Sequence, residues 1–266
     1  MKSTNKVSDH IENWLKKYLK KSKMDGFVVG VSGGVDSAVT STICARTGYP
    51  TLCLEMSIYQ NSSQISNARK HINWLEDNYK NVSHYNLYLN KLFDEFRNSL
   101  PEAYGEKHKL ALANSRARLR MVNLYYFSTL NNYLVAGTGN KVEDFGIGFY
   151  TKYGDGGVDI SPIADLMKSE VFMLARYFNI IEDIQKSAPT DGLWDDDRTD
   201  EDQIGASYDE IEFVMKSIEK KSLKNLTNRQ KKVKEIYNNL NSKNKHKMVP
   251  IPICKVPDNL KNSVKF

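Results

Sequence analysis

The densest chemistry in the chain lies in eight consecutive residues, Gly30-Val31-Ser32-Gly33-Gly34-Val35-Asp36-Ser37. Glycines let a backbone turn tightly and approach a ligand closely. The N–H groups that open a helix have no partner inside it, so a glycine turn leading into a helix makes an anion site. Ser32 and Ser37 add hydroxyl donors, and Asp36 adds a hard carboxylate oxygen of the kind Mg²⁺ takes. No Gly-Lys-Ser/Thr follows at the spacing of the Walker-type loop. The chemistry expected here is binding of a nucleotide's phosphates with a divalent cation.

Two further stretches combine glycine with charge. Gly137-Thr138-Gly139-Asn140-Lys141-Val142-Glu143-Asp144 offers a hydroxyl, open backbone and two carboxylates, with Glu143 as a second Mg²⁺ ligand opposite Asp36. Residues 148–162 run Gly-Phe-Tyr-Thr-Lys-Tyr-Gly-Asp-Gly-Gly-Val-Asp-Ile-Ser-Pro. Long loops in compact domains are uncommon unless they serve a function. Lys152 can complement a phosphate or a carboxylate, and Asp155 and Asp159 can accept from ribose hydroxyls or from an amine.

These loops need a frame that brings them together. Gly26-Phe27-Val28-Val29 reads as the front of a buried strand (26–31), followed by a helix through Ala45. Further strands are expected at 51–56, 82–89 and 133–137, and a weaker one at 158–160. Helices are expected at 8–22, 62–74, 108–131, 165–178, 207–219 and 227–240. Residues 146–157 read as a glycine-rich loop and 191–202 as an acidic one. Strands alternating with helices predict an α/β fold, with a doubly wound, mostly parallel sheet flanked by helices. In such sheets the ligand lies beyond the carboxyl ends of the strands, so the turns after Val31 and Ala136 share one mouth. No repeat or linker breaks the chain, which predicts one domain over 1–266 with a helical C-terminal extension.

Composition narrows the class. With 266 residues, 40% hydrophobic and 26% charged, the chain can bury a substantial core, and neither a disordered nor a fibrous class fits. No apolar run reaches the roughly 20 residues of a membrane span, and no signal-type core follows Met1, so a cytoplasmic protein with no membrane association is expected. Cys44, Cys53 and Cys254 are widely spaced, and the first two lie in apolar surroundings that predict buried, inert thiols. The net charge of +6 reflects lysines massed near both ends. Solvated helix faces and attraction of anionic nucleotides explain them without a nucleic-acid partner.

Five pieces, in order, resemble the ammonia-dependent NAD synthetases of the ATP pyrophosphatase superfamily: S-G-G-V-D-S (32–37), A-R-L-R-M (117–121), G-T-G-N-K-V-E (137–143), T-K-Y-G-D-G-G-V-D (151–159) and T-D-E-D-Q-I-G-A-S-Y (199–208), with His246-Lys247 as a further trace. The resemblance implies an adenine nucleotide alpha hydrolase-like fold. It also implies a two-step reaction, in which the carboxylate of deamido-NAD takes AMP from ATP and ammonia then displaces AMP. Mg²⁺ is the implied cofactor, held by Asp36 and Glu143. Gly30, Val31, Ser32, Gly33, Gly34, Val35, Asp36, Ser37, Thr138, Lys168 and Thr190 would bind ATP. Arg118, Lys152, Asp159, His246 and Lys247 would bind the dinucleotide, and Asp36, Lys152 and Asp155 would serve catalysis. A homodimer is implied, with this substrate near the interface.

Two departures stand out. Between Glu143 and Gly148 the chain carries one residue more than the family spacing, so Asp144 can take the metal role instead of Glu143. After Thr190 it has Asp191-Gly192-Leu193-Trp194 where the family has Ala-Asp-Leu. Residues 148–157 and 191–202 are expected to be mobile without nucleotide, being poor in apolar anchors. Rival readings are amidation of nicotinic acid mononucleotide, another adenylating ligase such as a tRNA-modifying enzyme, and a nucleotide-binding regulatory module.

Overall fold

A computed structural model describes residues 1, 3–190, 199–222 and 225–261. The first helix, α1 (Thr4–Ser22), is capped by the Ser3 hydroxyl and leads into β1 (Gly26–Gly30). Then follow α2 (Val35–Arg46), β2 (Thr51–Ser57), α3 (Ser62–Asn78), β3 (Val82–Tyr88), α4 (Asn90–Asn98), α5 (Glu106–Asn131) and β4 (Tyr133–Val135). A π-helix occupies Val142–Ile147. Helices α6 (Lys168–Tyr177), α7 (Glu182–Lys186), α8 (Asp200–Ile204), α9 (Tyr208–Glu219) and α10 (Asn228–Met248) complete the order, before a short 3₁₀ turn at Asp258–Leu260.

The four strands form a parallel sheet in the order β3-β2-β1-β4, with Val28 opposite both Leu52 and Val135. Successive residues of β1 face opposite ways, as strand geometry requires. Phe27 and Val29 pack into the core formed with α1, α2 and α6, whereas Val28 packs into the core on the α4–α5 side. The sheet is thus covered on both faces, as expected of a doubly wound fold. From β1 the chain passes first to β2 and β3 and later to β4 on its other side. The switch point lies where β1 and β4 end, and the two glycine turns begin there.

The C-terminal helices build a separate small core. Val142 and Ile147 of the π-helix meet Ile204, Tyr208, Ile211, Val214, Met215 and Val233. This core fastens the turn after β4 to the helical extension. Cys44 and Cys53 are fully buried, and burial pushes both thiols up, as expected of inert packing residues. No helix among the described residues is long and apolar enough to cross a membrane.

Several boundaries differ from the sequence reading. The strand expected at 158–160 shrinks to one parallel bridge, Ala136 to Ile160, and β4 stops at Val135. α6 begins at Lys168 rather than 165, and α4, α7 and α8 are additions. The reading of 227–240 as the last helix is corrected to 228–248, which places His246 and Lys247 in its final turn. Loop 148–157 is better anchored than its composition implies. Thr151 is buried, donates to Asn114 Oδ1 at 2.7 Å and accepts from the Gly154 N–H at 2.9 Å. Of the acidic loop, residues 191–198 lie outside the described part.

Candidate active site

The phosphate loop folds as it does because one position tolerates no side chain. Gly33 has φ +86°, and a Cβ there would lie 2.3 Å from the Gln64 carbonyl oxygen of α3. Beyond it, the Ser37 hydroxyl donates to the Gly34 carbonyl at 2.9 Å and accepts from the Ser32 N–H at 3.2 Å, tying the loop across the first turn of α2. Asp36 stands in that same turn, where the positive end of the helix favours a carboxylate.

Glu143 arrives from the other side of the switch point. Asn140 is fully buried; its Oδ1 accepts the N–H groups of Val142 and Glu143 at 3.0 and 3.1 Å, and its Nδ2 donates to Asp36 Oδ1 at 3.1 Å. One amide therefore joins the two glycine turns. Residues 144–147, between Glu143 and Gly148, all fall within the π-helix, whose turn is wider than an α turn. Asp144 also reaches the cleft, and a Cβ on Gly139 would lie 2.2 Å from its carboxylate oxygens.

Lys168, the first residue of α6, links the two carboxylates. Its Nζ lies 2.5 Å from Asp36 Oδ2 and 3.0 Å from Glu143 Oε1, with a side chain only 4% exposed. Tyr208 closes the group: its hydroxyl lies 2.5 Å from Glu143 Oε1 and 3.2 Å from Asp200 Oδ2, and its ring faces the Lys168 ammonium at 4.7 Å. Burial works against the Lys168 charge, but Asp36 and Glu143 together outweigh it and hold the ammonium protonated above its ordinary range. Burial likewise raises both carboxylates; Lys168 prevails at Glu143, which ends below the usual range, while Asp36 ends above it. Asp144 is pushed well up by burial and then by the charges of Glu143, Asp155 and Asp36.

The resulting cleft has a volume of about 440 Å³. It is lined by all of Gly30–Ser37, by Thr138, Glu143, Asp144, Asp155, Lys168 and Thr190, and by the apolar Leu54, Met56, Met121 and Leu124. Every residue read as ATP-binding or metal-binding from the sequence thus borders one space. Asp155 borders it too, with Oδ1 accepting the Thr151 N–H at 2.9 Å.

The residues read as binding the second substrate gather elsewhere. Lys152 Nζ donates to the His246 carbonyl at 3.0 Å, Lys247 Nζ to those of Gly148 and Tyr150 at 2.8 Å each, and Arg118 Nε to that of Lys152 at 3.3 Å. The end of α10 therefore meets loop 148–152 within a single chain. Asp159 stands apart, accepting from the Val135 N–H at 2.8 Å and the Tyr125 hydroxyl at 3.1 Å.

Comparison with known proteins supplies a family for a chain with this fold and cleft. The sequence matches the NAD synthase family over residues 7–250. The chain belongs to the NAD synthase family. The NH(3)-dependent NAD(+) synthetase of Carboxydothermus hydrogenoformans is 40% identical over 210 residues, covering 78% of this chain and 84% of that protein. The Mycoplasma genitalium protein of the same name is 37% identical over 216 residues, covering 79% and 83%. Among solved structures, the NMN synthetase of Francisella tularensis superposes with a TM-score of 0.82 at 31% identity, covering 96% of this chain and 99% of that one. The NH3-dependent NAD synthetase of Campylobacter jejuni gives 0.75 at 27% identity, covering 95% and 100%.

Within this NAD synthase fold, sequence reading passed over Asn140, Asp200 and Tyr208, and also Arg120, whose Nε donates to the Met56 carbonyl at 2.9 Å beside the cleft. Asp200 and Tyr208 both belong to the quoted segment T-D-E-D-Q-I-G-A-S-Y, which marked the family without suggesting a role for either. That segment was the available signal.

Proposed function

We propose that this chain amidates deamido-NAD with free ammonia, coupled to cleavage of ATP into AMP and pyrophosphate. The observation that carries the reading is the single cleft in which the phosphate loop, Asp36, Glu143 and Lys168 converge. A carboxylate is a poor electrophile near neutral pH. Transfer of AMP from ATP to that carboxylate, with pyrophosphate leaving, gives a mixed anhydride. Ammonia then attacks its carbonyl carbon, AMP departs, and the ammonium proton is lost to solvent. Catalysis of this kind rests on alignment and charge stabilisation. The loop N–H groups and the Ser32 and Ser37 hydroxyls hold the phosphates, Lys168 offsets their charge, and Thr138 and Thr190 border the nucleotide. Arg118, Lys152, His246 and Lys247 receive the anionic nicotinate nucleotide, with Asp155 near Lys247 and Asp159 contributing from its separate position on the Val135 N–H.

The donor set suits Mg²⁺. Asp36 and Glu143 present carboxylates to the cleft, each 16% exposed, and the two outnumber the one ammonium between them. Among the described residues no group of three or more His, Cys, Asp or Glu side chains is arranged to hold a metal, which fits an ion that takes only one or two carboxylates and keeps phosphate and water as its remaining ligands. When bound, Mg²⁺ would supply neutralisation of the phosphate charge. Glu143 is assigned the second position rather than Asp144, because it shares Lys168 with Asp36.

The likeness to an NMN synthetase supports a second substrate, nicotinic acid mononucleotide. Incubation of the purified chain with ATP, Mg²⁺, ammonium and each nicotinate nucleotide, with products identified by mass, tests both. NAD formation supports the first reading; NMN formation alone supports the second; AMP without either product refutes both. Glutamine in place of ammonium is expected to give no product. A homodimer is part of the proposal, supported by the exposed Val122, Tyr126 and Leu130 along α5. Light scattering at micromolar concentration checks it, and a fully active monomer overturns it.

A further inference from the structure

The segment 199–208 marks the family, yet the reaction outlined above gives it no task. In the structure it lies behind the carboxylate pair. Tyr208 is 6% exposed, and its phenol has one proton to give. The contact to Glu143 Oε1, at 2.5 Å, is much shorter than that to Asp200 Oδ2, at 3.2 Å, so Glu143 receives the proton. The same Oε1 accepts from Lys168 at 3.0 Å. Two donors on one oxygen fix the carboxylate's rotation and leave Oε2 to other partners. The tyrosine's ring also backs the Lys168 ammonium at 4.7 Å, a desolvated cation–π contact that restrains the ammonium between Asp36 and Glu143.

The phenol is itself firmly held. Its main-chain N–H donates to Glu201 Oε1 at 2.8 Å, Ser207 caps α9 beside it, and the ring packs among Val142, Ile147, Ile211 and Met215. Asp200 is buried, and its main-chain N–H donates to the Pro189 carbonyl at 3.0 Å, next to Thr190 on the cleft wall. This part of the fold serves as a rigid backing for the residues that face the ligand.

We propose that Tyr208 is a positioning residue that sets the orientation of Glu143 for a divalent cation and holds Lys168 in place for the nucleotide's phosphates. The proposal rests on the assignment of this cleft to Mg²⁺ and ATP. Partners that orient metal ligands through hydrogen bonds change metal affinity by roughly 10- to 100-fold when removed.

The test uses the full-length chain, Mn²⁺ as a spectroscopic substitute for Mg²⁺, and the non-cleavable analogue α,β-methylene-ATP. Free Mn²⁺ is followed by electron paramagnetic resonance. Tyr208→Phe keeps the ring and removes only the hydroxyl, so Tm is expected to fall by no more than about 4 °C. Its Mn²⁺ affinity is expected to fall about tenfold, with kcat reduced and KM for the nicotinate nucleotide unchanged. Tyr208→Leu removes the ring as well and is expected to weaken binding of the analogue itself. Mn²⁺ affinity within about twofold of the parent in Tyr208→Phe overturns the proposal, whatever happens to Tm. So does a parent chain that binds no Mn²⁺ with the analogue. If the parent binds Mn²⁺ and analogue but amidates neither nicotinate nucleotide, the reaction assignment fails, and the Mn²⁺ comparison still decides the role of Tyr208.

Discussion

The cleft and the basic cluster at the end of α10 both rely on lysines, and they hold them in opposite ways. Lys168 is buried, bridges two carboxylates and is kept charged by them against the cost of burial. Lys247 is half-buried and rests on two main-chain carbonyls; burial lowers its pKa, Asp155 only partly compensates, and Lys243 lowers it further. Lys152 is likewise placed on a carbonyl, that of His246. A carbonyl hydrogen bond is readily exchanged for one to a ligand phosphate or carboxylate, whereas a buried ion pair is not. The difference teaches where order exists before ligand arrives. The end proposed for ATP is built in advance, and the end proposed for the nicotinate nucleotide holds its cations on provisional acceptors.

If that contrast is right, the largest effect comes from the prebuilt side. Asp36→Ala removes a proposed metal ligand and one partner of Lys168. Turnover, measured as AMP or pyrophosphate release, is expected to fall about 10³-fold or more, the scale of losing a preorganised electrostatic partner of the transition state. Secondary structure by circular dichroism is expected to persist, because Lys168 keeps Glu143 and Asn140 still caps the second turn. Near-normal turnover would remove Asp36 from the mechanism.

Next in size is a difference in stability between the two lysines. Lys168→Met leaves Asp36 and Glu143 facing each other with no cation between them. Breaking a buried pair in this way costs about 3 kcal/mol or more, read from urea denaturation. Lys247→Met gives up two part-buried hydrogen bonds to main-chain carbonyls but strands no charge, and a smaller loss of about 1 to 2 kcal/mol is expected. Equal losses in the two variants would mean that both ends are equally prebuilt.

The same contrast separates what could be read from the sequence from what could not. The phosphate loop was legible because its strand, glycines and helix are contiguous, so local geometry alone assembles it. The sheet followed from the apolar runs of β1 and β4. The reach of α10 was hidden because its last turns show no apolar stripe: Val233 is the buried residue of that helix, and Asn, Ser, Lys and His fill 241–247. Lys247 and Tyr150 meet only because that helix continues. Tyr208 was illegible for a related reason. Its partner Glu143 is 65 positions away, and their contact is set by the packing of α9 on the π-helix.

The smallest expected effect is also the sharpest test of the provisional end. Lys152 is half-buried, packs over the Tyr153 ring at 5.4 Å and donates to a carbonyl of α10, so Lys152→Ala should leave Tm within a few degrees of the parent. Arg118, Lys247 and the phosphate loop remain in place, so KM for ATP should be unchanged. The nicotinate nucleotide loses one charge-assisted contact, a loss of about 1.5 to 3 kcal/mol, and its kcat/KM should therefore fall by roughly 10- to 100-fold. The dinucleotide and the mononucleotide need not suffer alike. A larger loss for deamido-NAD would place Lys152 against the adenylate half, which the mononucleotide lacks; an equal loss would place it against the nicotinate ribose phosphate that both share. A raised KM for ATP, with that for the nicotinate nucleotide unchanged, would contradict the division of the site into two ends, because the basic cluster would then belong to the same ligand as the cleft.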